Sequence, residues 1–365
     1  MLAVLSGGGT AGHINPALAL AEVLADRGVD VRYAGTPNGV EARLVKEAGI
    51  PFTPFEASGF NRNHPTTIFK GVGLIQKSTG AAKRWFKEVK PDVVVAFGGY
   101  VCIPVGRAAT AMGVPLVVHE QNSVMGMANK FLAKKAQAVC LTYDHASSAV
   151  DDKSKIVLTG NPVRKQVFAS TREEGRELLG IPQDERMLLV TGGSLGARHL
   201  NQGMCALKDE LLSREDLHIV HVTGPKELDS VTEALALTPE QAKRWRLVGY
   251  TNQMGACMAA TDAIVSRAGA TSLAEISARG IPALLVPFPY ATEDHQTTNA
   301  RAYVDAGCAY MIADADVETP EFGQLVQRLV DDADVRASMT QAAMQQKTAD
   351  AAAALADVVM KAARS

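Results

Sequence analysis

The chain has 365 residues, of which 47% are hydrophobic and 21% charged, and its net charge is −2. That length suggests two domains, each large enough to bury a core, and that composition excludes a disordered or low-complexity chain. The near-zero charge gives no bulk attraction to nucleic acid, so no nucleic-acid partner is expected, and only a local basic patch could serve an anionic surface.

The amino-terminal MLAVLSGGGTAGH has no basic leader and reads as a first strand running into a glycine turn, not as a signal peptide. No apolar run approaches the roughly 18–20 residues of a membrane-spanning helix. The five cysteines, Cys102, Cys140, Cys205, Cys257 and Cys308, are scattered without a C-x-x-C pair, as free thiols in a reducing compartment would be. A cytoplasmic protein is expected.

In chain order, Leu2–Ser6 is a strand, Gly7–Gly12 a turn, and Pro16–Arg27 a helix with proline suited to its first turn. Val31–Ala34 is the next strand, with a helix around Val40–Glu47. Val93–Phe97, Leu116–His119 and Ala138–Leu141 follow as Val-rich strands of the kind buried on both faces of a parallel sheet. The rhythm then restarts: strand Met187–Thr191, turn Gly192–Gly196, helix Ala197–Leu212, and strands at His218–Thr223, Ala263–Ser266 and Ala283–Val286. The fold class is therefore α/β, two doubly wound Rossmann-like domains, expected to face each other across a cleft. The join is placed near Gly160-Asn161-Pro162. The domains are 1–161 and 162–341, with an Ala-rich helix over 342–365.

Gly7-Gly8-Gly9-Thr10-Ala11-Gly12-His13 lies between a strand and a helix, where glycines let backbone N–H groups approach an anion and the helix end adds partial positive charge. Gly7, Gly9 and Gly12 fit the dinucleotide fingerprint, but the acid that should close the second strand is missing; Asp30 opens that strand instead. Gly192-Gly193-Ser194-Leu195-Gly196 repeats the arrangement, and one such loop per domain makes phosphate-loving walls. Phe97-Gly98-Gly99-Tyr100 is a third loop, either a close turn or a ligand loop. Gly269-Ala270-Thr271-Ser272-Leu273-Ala274-Glu275 starts another helix. There Glu275 either forms a capping box with Ser272 or accepts ribose hydroxyls. His119-Glu120-Gln121-Asn122 closes a buried strand, and four polar residues there point to a site. Glu293-Asp294-His295-Gln296 is a second polar cluster at a sheet's carboxyl edge.

The segments GGGTAGHINPALA, FGGY, HEQN, GNPVR, GGSLGAR, RAGATSLAEI and DHQTTNA, in this order and spanning nearly the whole chain, resemble the MurG family. Members of that family add N-acetylglucosamine to undecaprenyl-linked muramyl-pentapeptide (lipid I) to make lipid II. Ala11 departs from the pattern, which usually has glycine there. The resemblance implies a GT-B fold and inverting transfer by single displacement, with UDP-N-acetylglucosamine held mainly by the second domain. It implies that Glu275 takes the ribose, Ser194, Ala270 and Thr271 the diphosphate, backbone near Thr251 the uracil, and Gln296 the sugar hydroxyls. Arg164, Asn122 and the turn residues Thr10, Ala11 and Gly12 complete the donor pocket. Gly9, Gly98, Gly99 and Tyr100 would hold the acceptor's diphosphate. His13 is the candidate base, with Glu120 as its rival.

No cofactor is expected. Asp314-Ala315-Asp316 and Asp332-Ala333-Asp334 have the D-x-D letters of metal-using transferases, but both sit beside helix starts and are assigned to capping. Leu74 and Trp85 fall off the core-facing stripe of Ile68, Val72, Ile75, Ala82, Phe86 and Val89. Ringed by lysines and arginines that include Lys83 and Arg84, they are expected to dock on anionic phospholipid, placing the protein peripherally on the cytoplasmic membrane face. Another GT-B transferase, a non-hydrolysing UDP-sugar epimerase, and a nucleotide-binding regulator without turnover are the alternatives.

Overall fold

Strands β1 (Leu2–Ser6), β2 (Asp30–Gly35), β3 (Phe52–Pro54), β4 (Val93–Ala96), β5 (Leu116–Glu120), β6 (Ala138–Leu141) and β7 (Ile156–Leu158) lie in one sheet in the computed structural model, which describes residues 1–57, 66–193, 195–345 and 350–364. The order is β3-β2-β1-β4-β5-β6-β7, and each pairing is parallel. β4 shows why its sequence is an unbroken apolar run. Val94 and Ala96 enter one core with Ala82, Phe86 and Val105, while Val93 and Val95 enter another with Leu18 and Leu24. Both faces are covered, so alternation with polar residues would bury polar groups.

The second sheet holds β8 (Arg186–Thr191), β9 (Leu217–Val222), β10 (Trp245–Val248), β11 (Ala263–Ser266), β12 (Ala283–Leu285) and β13 (Ala309–Met311), in the parallel order β10-β9-β8-β11-β12-β13. In each sheet the order reverses at one place, between β1 and β4 and between β8 and β11. Ligands of open α/β sheets bind at such switch points. The glycine loops after β1 and β4 thus emerge side by side, as do those after β8 and β11.

The chain forms two compact units, residues 1–164 with 348–365, and 165–347. The Ala-rich tail, expected as one helix, is divided between them. Helix Ala333–Gln345 ends in the second unit, whereas Ala351–Ala362, capped by Asp350, returns to the first. There Leu355, Ala356 and Val359 join the core beside helix Ala11–Asp26, and Arg27 pairs with Asp357 at 2.6 Å. The expected helix over 197–212 runs as two, Arg198–Ala206 and Lys208–Leu212.

The first helix starts at Ala11, not at Pro16. Gly12 and His13 are therefore inside its first turn, and Pro16 sits in the second, where it donates no backbone hydrogen bond. Ala11 as a helical residue needs no positive φ, so alanine fits where the family usually has glycine. Among the described residues, no helix is long and apolar enough to cross a membrane.

Candidate functional site

The two glycine loops of the first unit are packed onto each other. The Gly8 N–H donates to the Gly98 carbonyl at 3.2 Å, and a Cβ on Gly99 would lie 2.4 Å from the Gly8 oxygen. His13 closes over this pair. Its Nδ1 lies 2.9 Å from the Gly8 carbonyl, which can only accept, so Nδ1 carries a hydrogen and, in the neutral ring, Nε2 is the lone-pair acceptor. The imidazole is half-buried and covers Gly98, where a Cβ would come within 2.9 Å of Cδ2 and Nε2. Gly98 also has φ +112°, a conformation side chains rarely adopt. Gly98→Ala is expected to destabilise the first unit by ~1–3 kcal/mol and to displace the imidazole. Denaturant unfolding checks it; an unchanged midpoint contradicts it.

Thr10, Ala11 and Gly12 stand at the amino end of the first helix, with Thr10 as its N-cap and its hydroxyl 3.4 Å from His13 Nδ1. Gly9 is less available than expected, because its N–H points to Glu41 Oε2 at 3.3 Å. Tyr100 is exposed at the mouth of the second loop.

The HEQN segment proves largely internal. His119 is buried; its Nε2–H donates to the Gly160 carbonyl at 3.0 Å, and its Nδ1 accepts from Gln121 at 3.0 Å. Burial pushes this imidazole down to about 4, so it is neutral and braces β5 against the chain beyond β7. Glu120 is buried as well, and its carboxylate is occupied. Oε1 accepts from the Asn122 N–H at 3.0 Å and its amide at 3.3 Å; Oε2 accepts from the Gly126 N–H at 3.0 Å and Asn129 Nδ2 at 2.8 Å. A carboxylate holding four donors shapes the loop 121–126 and is badly placed to take a proton from a substrate. Asn122 is half-buried at the start of that loop. Arg164 turns to the first helix, where Nε meets Glu22 at 3.0 Å.

In the second unit, helix Ala270–Arg279 follows β11, with Gly269 as N-cap. Gly269 offers no capping side chain, and the space where its Cβ would be is open. The capping box expected as one reading of Glu275 does not form. With Gly269 as cap, Ser272 is itself the third helical residue, and half-buried Glu275 lies one turn further on. Gln296 ties two loops together, its Oε1 accepting from the Ala268 N–H at 3.2 Å and the Phe288 N–H at 3.0 Å. That leaves its amide NH₂ as the group for a ligand oxygen. Thr251 is half-buried and accepts from the Gln253 N–H at 3.0 Å, just ahead of helix Met254–Ala260. Ser194 lies outside the described residues; Leu195 beside it is exposed.

Two buried charges beside the glycine turns, Glu41 and Arg267, were given no role in the sequence analysis. Glu41 sits under the first glycine loop. Arg267 follows β11, donates to the Val286 and Pro287 carbonyls at 3.1 Å each, and pairs with Asp314 at 2.5 Å. Asp314 also meets His199 at 2.9 Å, so it is an ion-pair partner and not the expected cap. The other D-x-D does cap: Asp332 accepts from the Asp334 and Val335 N–H groups at 3.1 and 3.0 Å. Arg267 opens the segment RAGATSLAEI that carries the family resemblance, but nothing in that segment marks it as buried.

The side chains expected to dock on a membrane differ in exposure. Trp85 is half-buried, its ring 5.5 Å from that of Phe55 and 5.4 Å from that of Phe86, so the core claims it. Leu74 and Lys83 are also half-buried, and Arg84 is exposed; the side chains of Ile68 and Val72 lie outside the description. Exposed apolar groups occur instead on helix Met127–Ala133, where Met127 is 52% and Phe131 50% exposed beside exposed Lys130, Lys134 and Lys135.

Two doubly wound parallel sheets, each with a glycine loop and a helix amino end at its switch point, define an α/β protein of the GT-B class. Residues 3–141 match the N-terminal domain of glycosyltransferase family 28 and residues 187–355 its C-terminal domain, and the chain belongs to that family. The UDP-N-acetylglucosamine–N-acetylmuramyl-(pentapeptide) pyrophosphoryl-undecaprenol N-acetylglucosamine transferase of Leuconostoc citreum is 40% identical over 365 residues, covering 99% of this chain and 98% of that one. The transferase of the same name from Halothermothrix orenii is 38% identical over 337 residues, 91% of each chain. The crystal structure of Acinetobacter baumannii MurG superposes with a TM-score of 0.76 at 30% identity over 99% of both chains.

Proposed function

We propose that this protein transfers N-acetylglucosamine from UDP-N-acetylglucosamine to lipid I, giving lipid II in peptidoglycan synthesis, with inversion at the anomeric carbon. The observation that carries the reading is likeness across both units at once: 40% identity to a transferase of that name over 99% of the chain. The second unit binds the donor. The amino end of helix Ala270–Arg279 receives the diphosphate, Glu275 the ribose hydroxyls, and the amide NH₂ of Gln296 a sugar hydroxyl.

The first unit binds the acceptor. His13 Nε2 takes the proton of the attacking sugar hydroxyl, while Nδ1–H on the Gly8 carbonyl holds the ring in the required tautomer. The oxygen displaces UDP from the far side of the anomeric carbon, and the helix end stabilises the charge that develops on the departing diphosphate. Glu120 serves by fixing the loop 121–126. A β-linked disaccharide product from the α-linked donor supports this mechanism, and an α-linked product contradicts it.

Lipid I is membrane-bound, so the enzyme must meet a bilayer. We infer peripheral docking on anionic phospholipid through Met127 and Phe131, with Lys130, Lys134 and Lys135 around them; Arg84 and Lys87 are exposed on helix Thr66–Val89, which packs on helix Cys102–Ala111 as helix Met127–Ala133 does. Each basic group adds roughly 1 kcal/mol near such a surface. A Phe131→Ser, Lys130→Glu, Lys134→Glu variant should largely leave the pellet when sedimented with phosphatidylglycerol vesicles. Equal recovery of variant and wild type would place the docking surface elsewhere.

A further inference from the structure

Glu41 is fully buried, and no cation pairs with it among the described residues. It is the second residue of helix Val40–Glu47, whose N-cap is Gly39. Oε1 accepts from the Thr36 N–H at 2.9 Å and the Thr36 hydroxyl at 2.5 Å, and Oε2 from the Gly9 N–H at 3.3 Å. An anion held without a counter-charge is costly to bury, even with the helix amino end beside it. The surrounding chain is nonetheless moulded to it. A Cβ on Gly8 would fall 2.5 Å from Oε1, one on Gly35 2.6 Å from Cγ, and one on Gly39 2.3 Å from Oε2. Two segments, the loop after β1 and the connection from the end of β2 to the helix, are thus free of side chains around one glutamate.

The line of contacts leads to the reactive atom. Glu41 grips the Gly9 N–H and supports Gly8 from below. The Gly8 carbonyl receives His13 Nδ1–H at 2.9 Å, and the Gly8 N–H ties the loop to Gly98, on which the imidazole rests. We propose that Glu41 is a positioning residue for the transfer, holding the first glycine loop so that the Gly8 carbonyl orients His13 and Nε2 faces the acceptor hydroxyl. Glu41 also takes the Gly9 N–H out of reach of a bound anion, which leaves acceptor-diphosphate binding to the neighbouring amides. The inference rests on the reading of His13 as the base.

The experiment is a double-mutant cycle on the full chain with Glu41→Gln and His13→Asn, reading kcat together with the dissociation constant for UDP-N-acetylglucosamine. Glu41→Gln removes the charge at nearly constant volume. It should lower kcat roughly ten- to a hundredfold, the scale of misplacing a reacting group by about an ångström, and leave donor affinity unchanged. In the His13→Asn background the same change should have almost no further effect, because the group being positioned is gone. A merely structural Glu41 would cost the same factor in both backgrounds, and that result overturns the proposal. Full turnover in His13→Asn alone would defeat the base assignment, and this inference with it, in a visibly different way. Glu41→Asp, which keeps the charge but draws it back from Gly9, takes the place of Glu41→Gln if that variant does not fold; the same dependence on background is expected.

Discussion

Replacing His13 by asparagine should lower turnover by roughly 10²–10⁴-fold, the usual contribution of a general base. Asparagine suits the test because of how the ring is held. Its amide can still donate to the Gly8 carbonyl, as Nδ1 does at 2.9 Å, but it has nothing at the position of Nε2. The loop bond is kept and the proton acceptor is lost. The acidic limb of the pH–rate profile should vanish with it, since that limb reports protonation of the base. Donor affinity should change much less than turnover, because the groups expected to take the ribose, the diphosphate and the sugar hydroxyls, namely Glu275, Ala270, Thr271 and Gln296, lie in the other unit. If instead the variant raises the Michaelis constant for the acceptor and leaves turnover and pH profile as they were, His13 only binds the acceptor. Glu120 would not easily replace it, since its buried carboxylate already receives four hydrogen bonds.

Glu275→Ala should act on the other substrate. Hydrogen bonds to a charged acceptor contribute roughly 1.5–3 kcal/mol each. Losing two ribose contacts should therefore weaken UDP-N-acetylglucosamine binding about a hundredfold or more. Turnover at saturating donor should change much less, because the ribose is held equally before and during transfer. The 2′-deoxyribose analogue of UDP should lose its disadvantage against UDP. A variant that still discriminates the two sugars normally would make Glu275 a helix residue without a ligand. The fold already removes one such explanation, since Gly269 is the N-cap and Ser272 cannot pair with Glu275 in a capping box.

The interior of both sheets was legible in the sequence, and their rims were not. β1, β6 and β11 fall where their apolar runs predict. The four strands that the runs do not announce are β3, β7, β10 and β13, the edges of the two sheets. An edge strand is covered on fewer sides, so it can be short and partly polar, and burial leaves little trace in it. The glycine loops were visible because φ and close approach demand glycine, as at Gly98 and Gly99. The first helix was placed too late because Pro16 was taken for a start signal, while the true start lies within the motif itself.

Buried polar residues were the hardest to interpret. His119 and Glu120 looked like ligand groups from their position at a strand end, yet each spends its hydrogen bonds on backbone and neighbouring amides. Glu41 stands in the first turn of a helix, where an acid is ordinary and draws no notice. Only the three-dimensional arrangement brings it beneath Gly8 and Gly9, which are more than thirty residues away along the chain. The partial burial of Trp85 has a related cause: it lies off the helical stripe, but the ring of Phe55, from another segment, packs against it.

The most direct test of the proposed activity follows UDP release from UDP-N-acetylglucosamine with and without a lipid I analogue. Release should depend on the acceptor, in step with a lipid II analogue longer by one N-acetylglucosamine. UDP release or epimerisation of the sugar at the same rate without acceptor, and no lengthened lipid product, would contradict it.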